Sequence, residues 1–219
     1  GHDVTGTLDM YENRYNEFTA STSGRTERTV KFVFDGSNMA GKSVVVHETL
    51  YMEDTTGSFS VIAQHCPLPN VNNSEGEDLD YRNQRIDFPG ISTSAKDAIT
   101  GTEFTKDSET ATIIDTVTYN NLTAGLEYKL VGSIYDLKHK TLLADTFNDT
   151  FTSTKYFMPD ATGNGTVDLS FTFNTKDMAG NTFVVYEELY LNEKKIAEHK
   201  DPTDLKQTFK IPTIKTSAV

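Results

Sequence analysis

Apolar and polar residues alternate with a period of two in several short stretches of the chain. TATIIDTVTY (110–119), YKLVGSIYDL (128–137), DLSFTFN (168–174), NTFVVYEELYL (181–191) and QTFKIP (207–212) are rich in β-branched and aromatic residues, and Gly, Asn and Asp turns separate them. Successive side chains leave a strand on opposite faces, so this alternation predicts strands with one buried face. No stretch sustains the 3.6-residue period of a helix. The expected fold class is therefore all-β: tandem antiparallel β-sandwiches, broadly Ig-like. The segment PDATGNGTVD (159–168) has carboxylates and glycines but lacks the closing bidentate Glu of a calcium loop, and reads as a hairpin turn.

Compared with itself, the chain repeats. FVFDGSNMAGKSVVVHETLY from Phe32 aligns without gaps on FTFNTKDMAGNTFVVYEELY from Phe171, and Ile62-Ala63-Gln64-His65 aligns on Ile196-Ala197-Glu198-His199. QRIDFPGISTSA from Gln84 aligns on QTFKIPTIKTSA from Gln207, and Val4–Leu8 on Leu130–Ile134. Such self-similarity marks a repeated domain. Residues 89–212 hold one complete copy, 1–88 the C-terminal part of a preceding copy, and 213–219 the first strand of a following one. In the first copy His65 and Gln84 are further apart than His199 and Gln207, and an acidic insertion, NSEGEDLD, reads as an exposed loop.

The alternation also places polar residues on core-facing positions. Thr93 shares a face with Ile91 and Ala95; Asp115 with Ile113, Val117 and Tyr119; Glu187 with Phe183 and Val185; Gln207 with Phe209 and Ile211. Burying an unpaired polar group costs about 1–3 kcal/mol, and a lone charge more, so these groups are expected to meet one another. Taken singly, each reads first as a strand-end cap or a partner for backbone groups; Glu, His and Gln, however, recur in both copies.

Composition narrows the setting. With 13 Phe and 10 Tyr the chain can build a packed core, and a net charge of −12 opposes phosphate binding, so no nucleic-acid partner is expected. No apolar run approaches the length of a membrane-spanning helix. Gly1-His2 reads as a cloning remnant, so the absence of an export signal or wall anchor from this stretch decides nothing. Cys66 is the single cysteine, which excludes an internal disulfide. Either the compartment is reducing or another crosslink reinforces the fold.

The order Thr in ISTSA, Asp in DTVTY, Glu in VVYEE, His in AEHKD and Gln eight residues beyond that His resembles the Thr–Gln ester-bond domains, or VaFE repeats, of Gram-positive surface adhesins. VVYE resembles the family's V-x-F-E signature, with Tyr186 in place of Phe. The similarity spans 89–212 and, truncated, 3–88. It implies an extracellular, cell-wall-anchored stalk protein in which Thr93 attacks the Gln207 carboxamide, releasing ammonia and leaving an ester. A Thr hydroxyl needs a base and an amide needs an acid. On this reading His199 paired with Asp115 is the base, and Glu187, kept protonated by burial beside another carboxylate, polarises the Gln207 carbonyl. The first-copy equivalents are Glu48, His65 and Gln84, whose Thr and Asp strands fall before residue 1, so no ester is expected there. Thr216 in IKTSA is the Thr of the next repeat.

The resemblance implies one autocatalytic turnover, no cofactor or metal, neighbouring repeats as partners, and a host ligand bound elsewhere. Two other readings compete with it. A host-ligand or glycan-binding module would use the loop at 66–83 or surface tyrosines such as Tyr51 and Tyr190. A hydrolase would use Thr93, His199 and Asp115 as a triad, but a buried site filled by its own Gln leaves no room for substrate.

Overall fold

In the computed structural model, residues 17–20, 24, 27–36, 38–65, 83–145 and 149–217 are described. Val4–Leu8, Cys66 and most of the 66–83 loop lie outside them. Contacts divide the chain into two units, 1–39 and 40–219, so the boundary falls inside the segment read as the first repeat. In the first unit the Arg28 guanidinium lies over the Phe18 ring, 5.4 Å from its centroid.

The second unit is all-β, and every pairing between its strands is antiparallel. Among the described residues, four short strands come first: β1 (Ser43–Val45), β2 (Glu48–Glu53), β3 (Phe59–His65) and β4 (Arg85–Asp87). They form two small sheets, β1 with β4 and β2 with β3. Nine strands follow: β5 (Gly90–Asp97), β6 (Ala111–Asn120), β7 (Tyr128–Asp136), β8 (Thr141–Leu142), β9 (Thr152–Phe157), β10 (Gly165–Phe173), β11 (Thr182–Leu191), β12 (Lys194–His199) and β13 (Thr208–Lys210). One sheet has the order β10-β6-β5; the other runs β12-β11-β7-β8, with β13 also on β11 and β9 also on β7.

The inward faces of these two sheets share one core. Strict alternation of buried and half-buried residues along β6 and β7 delivers Ile113, Val117, Leu130 and Ile134 to it, where Leu169, Phe171, Phe183, Val185, Leu189 and Phe209 pack against them. Gly132 lies in the middle of β7 because the opposite sheet comes too close for a side chain: a Cβ there would sit 2.6 Å from both Leu169 Cδ1 and Phe171 Cζ. The 159–168 segment is a turn into β10, with Gly163 at φ 68° and Asp160 Oδ1 accepting from the Thr162 amide and hydroxyl.

The internal repeat reappears as strand register. Ser43 pairs with Asp87 as Thr182 pairs with Lys210, and Glu48 pairs with His65 as Glu187 pairs with His199. Even the register shift recurs, between Leu50 and Tyr51 and between Leu189 and Tyr190. The surroundings differ. Leu189 is fully buried in the core, whereas its counterpart Leu50 is 40% exposed.

Candidate crosslinking site

Two strands share one edge of β11. β12 covers its second half, from Glu187 to Leu191, and β13 its first, from Thr182 to Val184. Between them the chain leaves the sheet through residues 200–207 and returns by a single 3-10 turn, Leu205–Gln207, capped by Asp204 Oδ1 accepting from the Lys206 amide at 2.8 Å. This excursion explains the local arrangement. It sets His199, the last residue of β12, directly opposite Glu187, and delivers Gln207 to the interruption in the ladder.

The first strand of the other sheet faces the same place. β5 pairs only with β6, and its other side approaches β12, the 3-10 turn and β13. Thr93 therefore points inward and is 5% exposed, while Asp115, Glu187 and Gln207 are fully buried. Thr93 Oγ1 donates to Glu187 Oε1 at 3.4 Å, and Gln207 Nε2 donates to Glu187 Oε2 at 2.7 Å and to the His199 carbonyl at 3.3 Å. One carboxyl group thus bridges the hydroxyl and the carboxamide.

Electrostatics follow from burial. Desolvation pushes the Glu187 carboxyl far above the ordinary carboxylate range, and the neighbouring Asp115 adds repulsion and a shared proton. Desolvation also raises Asp115, to a lesser extent, because the Glu187 carboxyl and Thr93 hydroxyl facing it favour its charged form. Two neighbouring carboxyls in so desolvated a site do not both ionise, so the pair holds a proton at neutral pH, with Glu187 the more strongly raised of the two.

Three details differ from the sequence expectation. His199 is paired with Asp204, Nε2 to Oδ2 at 3.4 Å, and its Nδ1 is 3.9 Å from Glu187 Oε2. Asp115 is thus not the His partner; it lies on β6 in the opposite sheet, whereas Asp204 belongs to the same excursion as His199. Glu187 meets the nitrogen of the Gln207 amide rather than its carbonyl, and Gln207 Oε1 is buried with no hydrogen-bond partner among the described residues. The His199 carbonyl can only accept, which fixes that amide orientation. Asp204 has no place in the sequence expectation: an Asp three residues before Gln207, outside any alternating run, carries no periodic signal.

The first-copy residues assemble in part. His65 Nδ1 is 3.4 Å from Glu48 Oε2 and 3.5 Å from Gln84 Nε2, in a setting where the Glu48 and His65 side chains are 42% and 45% exposed. Thr216 lies in exposed, irregular backbone. The competing surface residues separate: Tyr190 donates its hydroxyl to Glu188 and has Lys129 Nζ 5.1 Å from its ring centroid, while Tyr51 is 55% exposed.

The profile of one family, the T-Q ester bond containing domain, matches this chain over residues 5–72 and 89–211. The chain belongs to this family. The T-Q ester bond profile matches twice, with the Thr93, Asp115, Glu187, His199 and Gln207 group inside the second match and Glu48 and His65 inside the first. No match was found among curated proteins. Among solved structures, an adhesin from Mobiluncus mulieris containing intramolecular disulfide, isopeptide and ester bond crosslinks is 18% identical over 57% of this chain, with a TM-score of 0.46. The chain spans 58% of that protein's length. A putative β-galactosidase from Bacteroides fragilis is 15% identical over 52% of this chain and 17% of its own, with a TM-score of 0.39.

Proposed function

We propose that this T-Q ester bond protein is a structural module of a bacterial surface adhesin whose second repeat crosslinks itself once, between Thr93 and Gln207. The observation that carries this reading is the position of Glu187, with one oxygen toward the Thr93 hydroxyl and the other on the Gln207 nitrogen. Thr93 Oγ1 attacks Gln207 Cδ, the bond from Cδ to Nε2 breaks, and the hydroxyl proton ends on the departing ammonia. Glu187 takes the hydroxyl proton at Oε1, and once Cδ is tetrahedral and Nε2 has become basic, the carboxyl proton passes from Oε2 to the leaving nitrogen, reversing the resting hydrogen bond, so proton transfer at the two centres is coupled. His199, oriented by Asp204, lies beside this relay and offers a second proton acceptor.

The fold supplies the rest. Burial excludes water, and strands fixed by their ladders hold the reacting groups at high effective concentration. The product joins the first strand of the repeat to the end of the excursion that leads into its last strand. Tension applied through neighbouring repeats would then pass through a covalent bond rather than unzip a sheet, which suits an extracellular, wall-anchored stalk that presents a host-binding domain elsewhere. No external substrate is consumed, so the protein is not an enzyme in the turnover sense. Tandem mass spectrometry of a proteolysed sample tests the reading: a peptide pair joined through Thr93 and Gln207 is expected, and separate unmodified peptides would overturn it.

A further inference from the structure

The joint between the repeats contains a contact that the crosslinking chemistry does not use. Beyond the β1–β4 ladder the pairing continues by one rung, with Phe88 N donating to Lys42 O at 2.9 Å and Gly41 N donating to Phe88 O at 3.0 Å. Each of these carbonyls retains a second lone pair. Asn121, from the turn that follows β6 in the second repeat, fills both: its Nδ2 donates to Lys42 O at 3.2 Å and to Phe88 O at 3.3 Å. A carboxamide nitrogen carries two protons, one for each carbonyl. Asn121 is itself held at φ 61°, a conformation Asn tolerates, and its amide donates to Asn164 Oδ1 at 3.0 Å. Backbones also meet here. A Cβ on Gly90 would sit 2.4 Å from Gly41 N and 2.7 Å from Gly41 Cα.

The far end of the second repeat shows which part of this joint is added from outside. There Ile211 N donates to Asn181 O at 3.1 Å and Gly180 N to Ile211 O at 2.7 Å, the same rung in the same register. The rung is therefore built within a repeat, whereas the Asn121 amide comes from the repeat that follows. The residue aligned with Gly90 is Thr213, whose Cγ2 is 3.6 Å from where a Gly180 Cβ would lie. The bare approach of Gly90 on Gly41 thus belongs to the first joint.

We infer that Asn121, with Gly90, is a latch that fixes the angle between one repeat and the next, its partner being the terminal rung of the preceding copy. Domains joined by a short linker move relative to each other by default unless such contacts hold them. Spin labels report the angle directly. In a Cys66→Ser background, Thr55→Cys on the first repeat and Lys155→Cys on the second give the inter-repeat distance distribution by pulsed dipolar spectroscopy. Lys155→Cys with Lys194→Cys gives an internal control. A narrow inter-repeat distribution is expected, broadened roughly twofold by Asn121→Asp or Asn121→Gly, as expected for unlatched domains, while the control pair is unmoved. Both substitutions tolerate positive φ and remove the donor, so the turn itself is kept. Gly90→Ala should shift the mean distance, because the two backbones must part. A broad distribution in the parent protein, or equal widths in parent and both Asn121 variants, overturns the latch; neither outcome depends on whether the ester forms.

Discussion

The Gln207 amide donates to the Glu187 carboxyl at 2.7 Å, a hydrogen bond between fully buried side chains 20 positions apart in the chain. Its orientation puts the leaving nitrogen, not the carbonyl oxygen, on the acid. Substituting Glu187→Gln keeps the size of the side chain and removes its transferable proton. The folded variant should retain the mass expected from its sequence, and ammonia loss should be slower by about 10²–10⁴-fold, the usual contribution of a positioned acid or base. Ammonia loss at the parent rate would show that Glu187 only fills space.

The intact protein should be lighter than its sequence by one ammonia, not two. Gln84 Nε2 faces the His65 ring, and no Thr hydroxyl bridges to Glu48 among the described residues as Thr93 does to Glu187. Thr93→Ala and Gln207→Ala should each restore the full mass. Loss of a second ammonia would mean that Gln84 finds a nucleophile.

The same two variants should melt earlier. The ester closes a loop of about 100 residues or more, for which the chain-entropy relation for crosslinks gives roughly 4–5 kcal/mol. Calorimetry of parent and Thr93→Ala should therefore show a clear fall in Tm; coincident transitions would deny the crosslink a stabilising role.

Asp204→Asn tests the second proton-handling pair. Asn can still accept from the Lys206 amide and cap the turn, but it removes the charge facing His199 Nε2. Crosslinking should slow with the fold intact, and His199→Ala should slow it comparably. If Asp115→Asn but not Asp204→Asn affected the His199 contribution, the pairing of His199 with Asp204 would be structural only.

Without the ester, the carboxyl pair should make stability depend on pH. Burial raises both folded-state pKa values above the ordinary 4.5 and 3.8, so the folded chain holds more protons than the unfolded one. Their contribution is fully present below those ordinary values and is lost as pH rises through the folded ones. Urea titrations of Thr93→Ala should show stability falling as pH rises above the ordinary carboxylate range, through about 6 for Asp115 and on toward about 11 for Glu187, and Thr93→Ala/Glu187→Gln should flatten much of that slope. A slope unchanged by Glu187→Gln would place the titration elsewhere.

Period-two alternation by itself determined that the chain is all-β, and it put Thr93, Asp115, Glu187 and Gln207 on inward faces, because side-chain direction along a strand is fixed by the backbone. The internal repeat likewise carried the register, since identical landmarks such as Glu48 and Glu187 pair with His65 and His199 in both copies. What the sequence could not decide was which buried group meets which across the two sheets. Alternation marked Asp115, and not Asp204, as a partner for His199. Only the excursion between β12 and β13 brings Asp204 to it and leaves Asp115 against Glu187. The direction of the Gln207 amide and the reach of Asn121 into the preceding repeat were hidden for the same reason. Each depends on a backbone carbonyl, of His199 or of Lys42 and Phe88, and every residue carries one, so no side-chain pattern marks it. Strand periodicity is a local property of the chain, whereas these contacts exist only once distant segments are packed together.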